Sequence, residues 1–115
     1  MFVFNCTFAY SHGYTLYDHS EIERLSSFRI QGEMELRVEK NISAPIIYRT
    51  INHEGGMKVT VMEILNSNEY KSNDGMWLYV LLTSPMWVND GTWIEKNNKF
   101  LIFLPDDMPV FDFEK

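Results

Sequence analysis

The chain has 115 residues and a formal net charge of −6, and 15% of its residues are aromatic. This length favours one domain, and the aromatic content is typical of small β domains, whose pleated surfaces accommodate aromatic side chains well. An acidic chain without a basic stripe is not expected to bind nucleic acid or anionic membranes, because both need clustered Lys and Arg. The sequence also lacks an apolar run of the ~20 residues that a membrane-spanning helix requires.

The first 27 residues predict a β-hairpin followed by a short helix. Residues 2–10 alternate between two faces, with Cys6 on the aromatic one, and a turn at 11–13 leads into a second short strand at 14–17. Asp18 or Ser20 can cap a helix of one to two turns, and no other helix is predicted. Because Cys6 is the single cysteine, it cannot form an internal disulfide or a cysteine-based zinc site, so a buried thiol is expected.

The N-terminal residues leave the cellular location open. No positive residue precedes their apolar part, so the sequence as written is not a complete signal peptide. One alternative is the remnant of an export signal that starts upstream and is cleaved near residues 9–11; a lipid-anchored Cys6 would need the same upstream segment. If the protein has such an upstream export signal, which the sequence as written does not include, we expect it to be periplasmic or secreted. Otherwise we expect it to be cytoplasmic.

Residues 28–104 predict a series of short strands separated by turns. Strand patterns cover 28–39, 46–51, 57–65, 75–82 and 93–104. In the first of these, the outward residues Glu33, Glu35, Arg37 and Glu39 predict a solvated face instead of a carboxylate site, and the inward set is Phe28, Ile30, Met34, Leu36 and Val38. In the strand predicted at 57–65, strict alternation places Glu63 on the same inward face as Val61.

The remaining segments complete a single predicted domain. Residues 66–74 predict a polar surface loop, and residues 105–115 predict an acidic segment that packs back on the body through Val110, Phe111 and Phe113. About seven short strands and at most one short helix predict an all-β fold, a small barrel or sandwich of antiparallel strands. Its parts are an N-terminal hairpin and short-helix extension at 1–27, a barrel at 28–104 and the C-terminal segment at 105–115.

Five elements in order resemble the bacterial Src-homology-3-like (SH3-like) domain family over residues 35–104. The elements are Leu36-Arg37-Val38, residues 46–51, Gly56-Met57-Lys58-Val59-Thr60-Val61, Gly75-Met76-Trp77-Leu78-Tyr79-Val80, and Gly91-Thr92-Trp93-Ile94 followed by Phe100-Leu101. Residues 1–27 have no counterpart in the family. The resemblance implies a small barrel that binds short peptides in a shallow groove lined by aromatic rings.

The residue pattern does not predict an enzyme, a metal site or a cofactor. His12, His19 and His53 lie in separate loops, and strand geometry would hold Cys6 and His12 ~20 Å apart, too far for a catalytic dyad. Carboxylate pairs are frequent, but none lies in the apolar surroundings that raise the pKa of a general acid. A phosphate-binding glycine loop is absent as well.

Aromatic side chains are the candidate ligand-binding residues. The resemblance suggests a groove lined by Tyr48, Tyr70 and Trp87, with Tyr79 or Trp93 as further members. Trp77 and Trp93 match framework positions of the family, where core packing is the favoured role. Trp87 lies in a connection between strands, where exposure to a partner and core packing are equally compatible with the pattern.

These observations predict a non-catalytic binding module. Its expected ligand is a peptide or a cell-envelope component, such as a peptidoglycan stem peptide, with a preference for basic partners, and it is expected to be a monomer or weak homodimer. The alternative is a small acidic inhibitor or immunity-type protein that blocks a partner protein, since opposite charge accelerates association. A third interpretation, an oligomeric structural protein, would bury Trp87 in a self-interface.

Overall fold

The computed structural model describes residues 18–51 and 55–114, and these residues form an all-β fold. The strands are β1 Ser27–Ile30, β2 Glu35–Leu36, β3 Tyr48–Arg49, β4 Met57–Leu65, β5 Gly75–Leu82, β6 Met86–Trp87, β7 Trp93–Ile94, β8 Lys99–Pro105 and β9 Val110–Glu114. The predicted class of short antiparallel strands is confirmed. The predicted hairpin at 2–17 lies outside the described residues, as do Cys6, His12 and His53.

Helical structure in the described ranges is limited to two 3-10 turns, His19–Glu21 and Asn68–Tyr70. The first begins where the sequence predicts a helix, and the Asp18 side chain caps it by accepting the Ser20 backbone N–H at 2.9 Å. The second lies in the segment predicted as a loop, so there is one more turn than expected. Neither turn, nor any other helix in the described part of the chain, is long and apolar enough to span a bilayer.

Five strands form one antiparallel sheet in the order β8-β5-β4-β1-β9. Two small ladders, β2–β3 and β6–β7, extend this arrangement. A backbone bridge between Arg37 and Leu101 joins the end of β2 to β8, and a bridge between Thr50 and Val88 joins the end of β3 to β6. The β6–β7 hairpin is therefore held at the far side of the β2–β3 ladder from the main sheet.

Alternating side chains place the hydrophobic core against one face of the main sheet. In β5 the inward residues Leu78, Val80 and Leu82 are fully buried and the outward ones between them half-buried, which is the pattern expected of period-2 alternation. The inward residues of the small ladders, Leu36, Met86 and Ile94, belong to the same core. The principal core residues of β4, β5 and β8 are Met57, Val59, Val61, Leu78, Val80, Leu82, Phe100, Ile102 and Leu104.

A β-bulge in β4 reverses the predicted faces near its end. Val61 lies opposite Val80, but the register then shifts so that Glu63 lies opposite Tyr79. One extra residue in a strand turns the following side chains to the opposite face. Glu63 is consequently exposed and Ile64 packs against the core, so the prediction that grouped Glu63 with Val61 is wrong.

The strand predicted over residues 28–39 is divided in two, and this changes the place of Val38. β1 ends at Ile30, and β2 begins only at Glu35. Gly32, with φ of +155°, lies in the break, where a side chain would crowd the Met108 sulfur. After the Arg37 bridge to β8 the chain bends away from the sheet, which leaves Val38 51% exposed and not inward as predicted.

Candidate functional site

Two tryptophans stand side by side on the outer face of the β6–β7 hairpin. Met86 and Ile94 form the inward pair of this ladder and are buried, so alternation directs the next pair, Trp87 and Trp93, outward. The Trp87 and Trp93 rings have their centroids 4.8 Å apart and their planes 63° apart, an edge-to-face arrangement. Their side chains are nevertheless 54% and 43% exposed.

The hairpin is anchored through the residues that follow Trp87. Val88 is buried and bridges Thr50, and the Asn89 backbone N–H donates to the Arg49 carbonyl at 2.9 Å. At the turn, the Asp90 carboxylate accepts the Thr92 backbone N–H at 2.9 Å. The first two contacts join the hairpin to β3 and the third orders its turn, so the indole pair has a defined position.

A third exposed apolar side chain extends the tryptophan pair. The antiparallel bridge between Thr50 and Val88 places Ile51 at the register position opposite Trp87, and Ile51 is 40% exposed. We call Ile51, Trp87 and Trp93 the exposed apolar row. Contiguous exposed apolar side chains on a small domain are a common mark of an interaction site.

A carboxylate lies at the edge of the tryptophan pair. The Trp93 indole Nε1–H donates to Glu95 Oε2 at 2.7 Å. Glu95 is two residues beyond Trp93 and is itself exposed. The site therefore combines two indole faces with a negative charge.

A second group of aromatic rings lies on the outer face of the main sheet. Trp77 packs against Phe103 with centroids 5.2 Å apart and receives Tyr70 edge-on at 6.3 Å. The Tyr70 hydroxyl donates to the Lys40 carbonyl at 2.8 Å, which ties the second 3-10 turn to this group. Leu101, opposite Tyr79 in the ladder, is fully buried beneath these side chains.

The chain covers this second group with its own cations. The Arg37 guanidinium carbon lies 5.6 Å from the centroid of the Trp77 ring, and Lys40 Nζ lies 5.3 Å from that of Tyr79. Both separations are within the range of a cation–π interaction. Lys40 also forms an ion pair with Glu63 at 2.9 Å, and its hydrogen bond to this carboxylate raises the pKa of the Lys40 ammonium.

The five predicted ligand-binding residues fall into three surroundings. Trp87 and Trp93 are together and exposed; Tyr70 and Tyr79 are half-buried in the second group beside Lys40. Tyr48 is half-buried against the core, edge-on to Phe100 at 6.5 Å. Trp93 does not pack in the core, which was its favoured role. Ile94, its neighbour in β7, is the inward residue, so alternation turns Trp93 outward.

Charged side chains line a cavity of about 250 Å³ that was not predicted from the sequence. Arg49 Nη1 pairs with Glu35 Oε2 at 2.6 Å across the β2–β3 ladder. Arg37 and Glu33 complete the polar lining, and Phe103 contributes to the apolar part. The alternating outward charges around β2 were the only sign of this cavity in the sequence. The pairing of Glu35 with Arg49 on β3 depends on the register of the two strands, which the sequence does not reveal.

Local hydrogen bonds shift the pKa of two described carboxylates, Asp18 and Asp90. Hydrogen bonds from the backbone and side chain of Ser20 lower the pKa of Asp18, and hydrogen bonds from the Thr92 side chain and backbone lower the pKa of Asp90. Both groups are exposed and stay ionised near neutral pH. Within residues 18–51 and 55–114, no cluster of three or more His, Cys, Asp or Glu residues is placed to hold a metal ion.

No protein-family model matches the chain, and neither the curated proteins nor the solved structures gave a significant match. The Src-homology-3-like resemblance therefore stays a prediction. The function must be inferred from the geometry of this chain's own residues.

Proposed function

We propose that this protein is a non-catalytic binding module that recognises a peptide or a cell-envelope component of the peptidoglycan type through surface aromatic residues. The observation on which the proposal depends is the exposed Trp87–Trp93 pair. Two large rings left half in water give up apolar hydration when a ligand covers them. Tryptophan is also among the residues that contribute most to binding energy at interfaces.

The position of the pair supports a binding role over a packing role. The inner face of the hairpin already supplies Met86, Val88 and Ile94 to the core, so the fold does not need the outer indoles for this purpose. The backbone bond between Asn89 and Arg49 holds the hairpin in place before any ligand arrives. A preorganised surface loses less conformational entropy on binding.

We extend the proposal to the architecture, as a small Src-homology-3-like barrel with an added N-terminal segment. The order of the strands along the chain and the continuation of the main sheet into the β2–β3 and β6–β7 ladders support this assignment. In this frame, peptides would lie across the outer face of β6–β7, next to the charged cavity bounded by Arg49.

The absence of catalysis is also part of the proposal. A general acid at neutral pH needs a carboxyl group whose pKa is raised by burial or by neighbouring negative charge. The resolved carboxylate shifts, at Asp18 and Asp90, are in the opposite direction. Their hydrogen-bonding partners serve the capped turn and the hairpin turn.

The test is an amide- and indole-shift titration of the folded protein with muropeptides and with basic or proline-rich peptides. We expect saturable shifts at the Trp87 and Trp93 indoles and a change in tryptophan fluorescence. Trp87→Ala should abolish the response. Val38→Ala, which truncates another exposed apolar residue outside the pair, should leave the response unchanged.

An unchanged response in Trp87→Ala would place the ligand elsewhere and reject the tryptophan pair as the site. The absence of any response to all ligands would favour the second candidate, an acidic inhibitor or immunity-type protein. The net charge of −6 supports this alternative, because charge steering speeds association with a basic partner. Tight binding to one protein, weakened strongly by salt, would identify it.

A further inference from the structure

The two aromatic groups on the outer surface differ in their relation to positive charge. In the second group, Arg37 lies over Trp77 and Lys40 lies over Tyr79. Within the described part of the chain, no Lys or Arg lies over Trp87 or Trp93. The same type of ring face is thus covered by the protein's own cations in one place and left open in the other.

We propose that the Trp87–Trp93 pair, together with Glu95, binds a cationic alkylammonium group, such as the side chain of a lysine in a partner peptide. This inference rests on the proposed function and specifies the chemistry of its ligand. Two indole rings inclined at 63° form a corner with two electron-rich faces. Such faces attract ammonium groups through the ring quadrupole, and tryptophan does so more strongly than the other aromatic residues.

The charge around the corner favours a cation. The Glu95 carboxylate is held at the edge of Trp93 by the 2.7 Å bond from the indole N–H. Asp90, at the turn of the same hairpin, is exposed and therefore ionised at neutral pH, and the Thr92 hydrogen bonds lower its pKa further. The chain as a whole has a net charge of −6, which raises the local concentration of cations near the surface.

The same charges make a second copy of this chain a poor occupant. A symmetric contact through the exposed apolar row would bring two Glu95 carboxylates and two acidic hairpin turns toward each other. Like charges brought together across an interface oppose association. A basic peptide has the complementary charge and also covers the apolar rings with its methylene groups.

The first probe is tetramethylammonium chloride, added to uniformly ¹⁵N-labelled protein against sodium chloride of equal ionic strength. The three tryptophan indole N–H resonances report the outcome within a single sample. We expect saturable shifts at Trp87 and Trp93 and little change at Trp77, whose ring Arg37 already covers. Choline should bind in the same way, and its neutral isostere, 3,3-dimethylbutan-1-ol, should bind more weakly than choline.

Variants isolate the roles of the rings and the carboxylate. Glu95→Gln keeps an oxygen that can accept the Trp93 indole N–H but removes the charge, and it should weaken binding of the ammonium probe about two- to fivefold. Glu69→Gln, at an exposed glutamate in the second 3-10 turn, is the control for net charge and should have no effect. Trp87→Leu keeps an apolar side chain and should remove the saturable response.

The inference is overturned by equal shifts of all three indoles, by equal binding of the neutral alcohol, or by indole shifts that depend on protein concentration alone, which would indicate a second copy. Its failure is distinct from failure of the proposed function. A peptide that binds at Trp87 equally well with lysine and with Nε-acetyl-lysine would retain the binding module and reject the cation site. Binding of tetramethylammonium without binding of any peptide would do the reverse.

Discussion

A buried hydroxyl beneath the hairpin allows a direct test of how the small ladders are held. Thr50 is almost completely buried. Its Oγ1 accepts the Met34 backbone N–H at 2.7 Å and donates to the Gly32 carbonyl at 3.2 Å. Thr50→Val keeps the shape of the side chain, but both backbone groups lose this partner.

The expected cost follows from the groups left unpaired. A buried donor without an acceptor costs about 1–3 kcal/mol, and Met34 is itself buried. The added methyl group regains up to about 0.8 kcal/mol of apolar transfer. We therefore expect the free energy of unfolding to fall by about 1–2 kcal/mol, or roughly 4–8 °C in melting temperature for a domain of this size.

Thr83→Val is the matched control. The Thr83 hydroxyl is buried, and no hydrogen-bond partner lies within reach in the described structure. Removing it should leave stability unchanged or raise it, since an unsatisfied polar group is replaced by an apolar one. Thr50→Ser keeps the hydroxyl, so it should lose less than Thr50→Val.

Urea unfolding followed by tryptophan fluorescence measures all three variants, with stability taken from the shift in midpoint at constant slope. A difference of less than about 0.5 kcal/mol between Thr50→Val and Thr83→Val, the size expected for neutral surface changes, would refute the role of the Thr50 hydroxyl. Equal destabilisation by Thr50→Ser and Thr50→Val would refute it as well, because Thr50→Ser keeps the hydroxyl.

Three further predictions test other features. Gly56→Ala should destabilise the protein more than Gly91→Ala in the same urea assay. Both residues have positive φ, but a Cβ at Gly56 would overlap a backbone carbonyl of β1, whereas a Cβ at Gly91 would meet no atom. Equal losses of stability would contradict this contact. NMR titration should give Asp90 a pKa below its ordinary value of 3.8. Its stabilising contribution is therefore present above pH 3.8 and is lost as the pH falls through the lowered pKa. A raised pKa, or a pKa that Thr92→Ala leaves unchanged, would be inconsistent with the hydrogen bonds of the turn. Leu101→Ala should cost about 2–5 kcal/mol, because Leu101 is fully buried on the outer face; a loss under 1 kcal/mol would mean that this face is loosely packed.

The long strands could be predicted from the sequence because their pattern is local. β4 and β5 have the bounds that the sequence predicts, since each is a mainly apolar run that contains β-branched or aromatic residues and begins at or beside a glycine. The segment predicted as one strand over 93–104 is interrupted after Ile94 by a turn in which Asn97 has φ of +75°. Asparagine tolerates this conformation, so the break was visible only as a weak turn preference.

The features that could not be predicted depend on contacts between distant residues. The bulge before Glu63 is set by pairing with β5, and alternation within β4 does not indicate it. Lys40 reaches Tyr79 and Glu63 from a loop far away in the sequence, which explains why two predicted ligand-binding tyrosines belong to an internally satisfied group. The exposure of Trp93 follows from the Met86–Ile94 pairing of the hairpin, a register that sequence spacing alone did not fix.

The tether of the β6–β7 hairpin also has a consequence for motion. Its strands are two residues long, and it joins the β2–β3 ladder through the short pairing around Thr50 and Val88. Local opening of this element would break few backbone bonds, so its cost would come mainly from exposing Met86, Val88 and Ile94 of the core. A ligand that clamps Trp87 and Trp93 would then slow hydrogen exchange in the hairpin and in β3 while leaving the slowest amides of β4 and β5 untouched. Ligand binding would thus be detected as increased order of the β6–β7 hairpin, which few backbone bonds join to the rest of the fold.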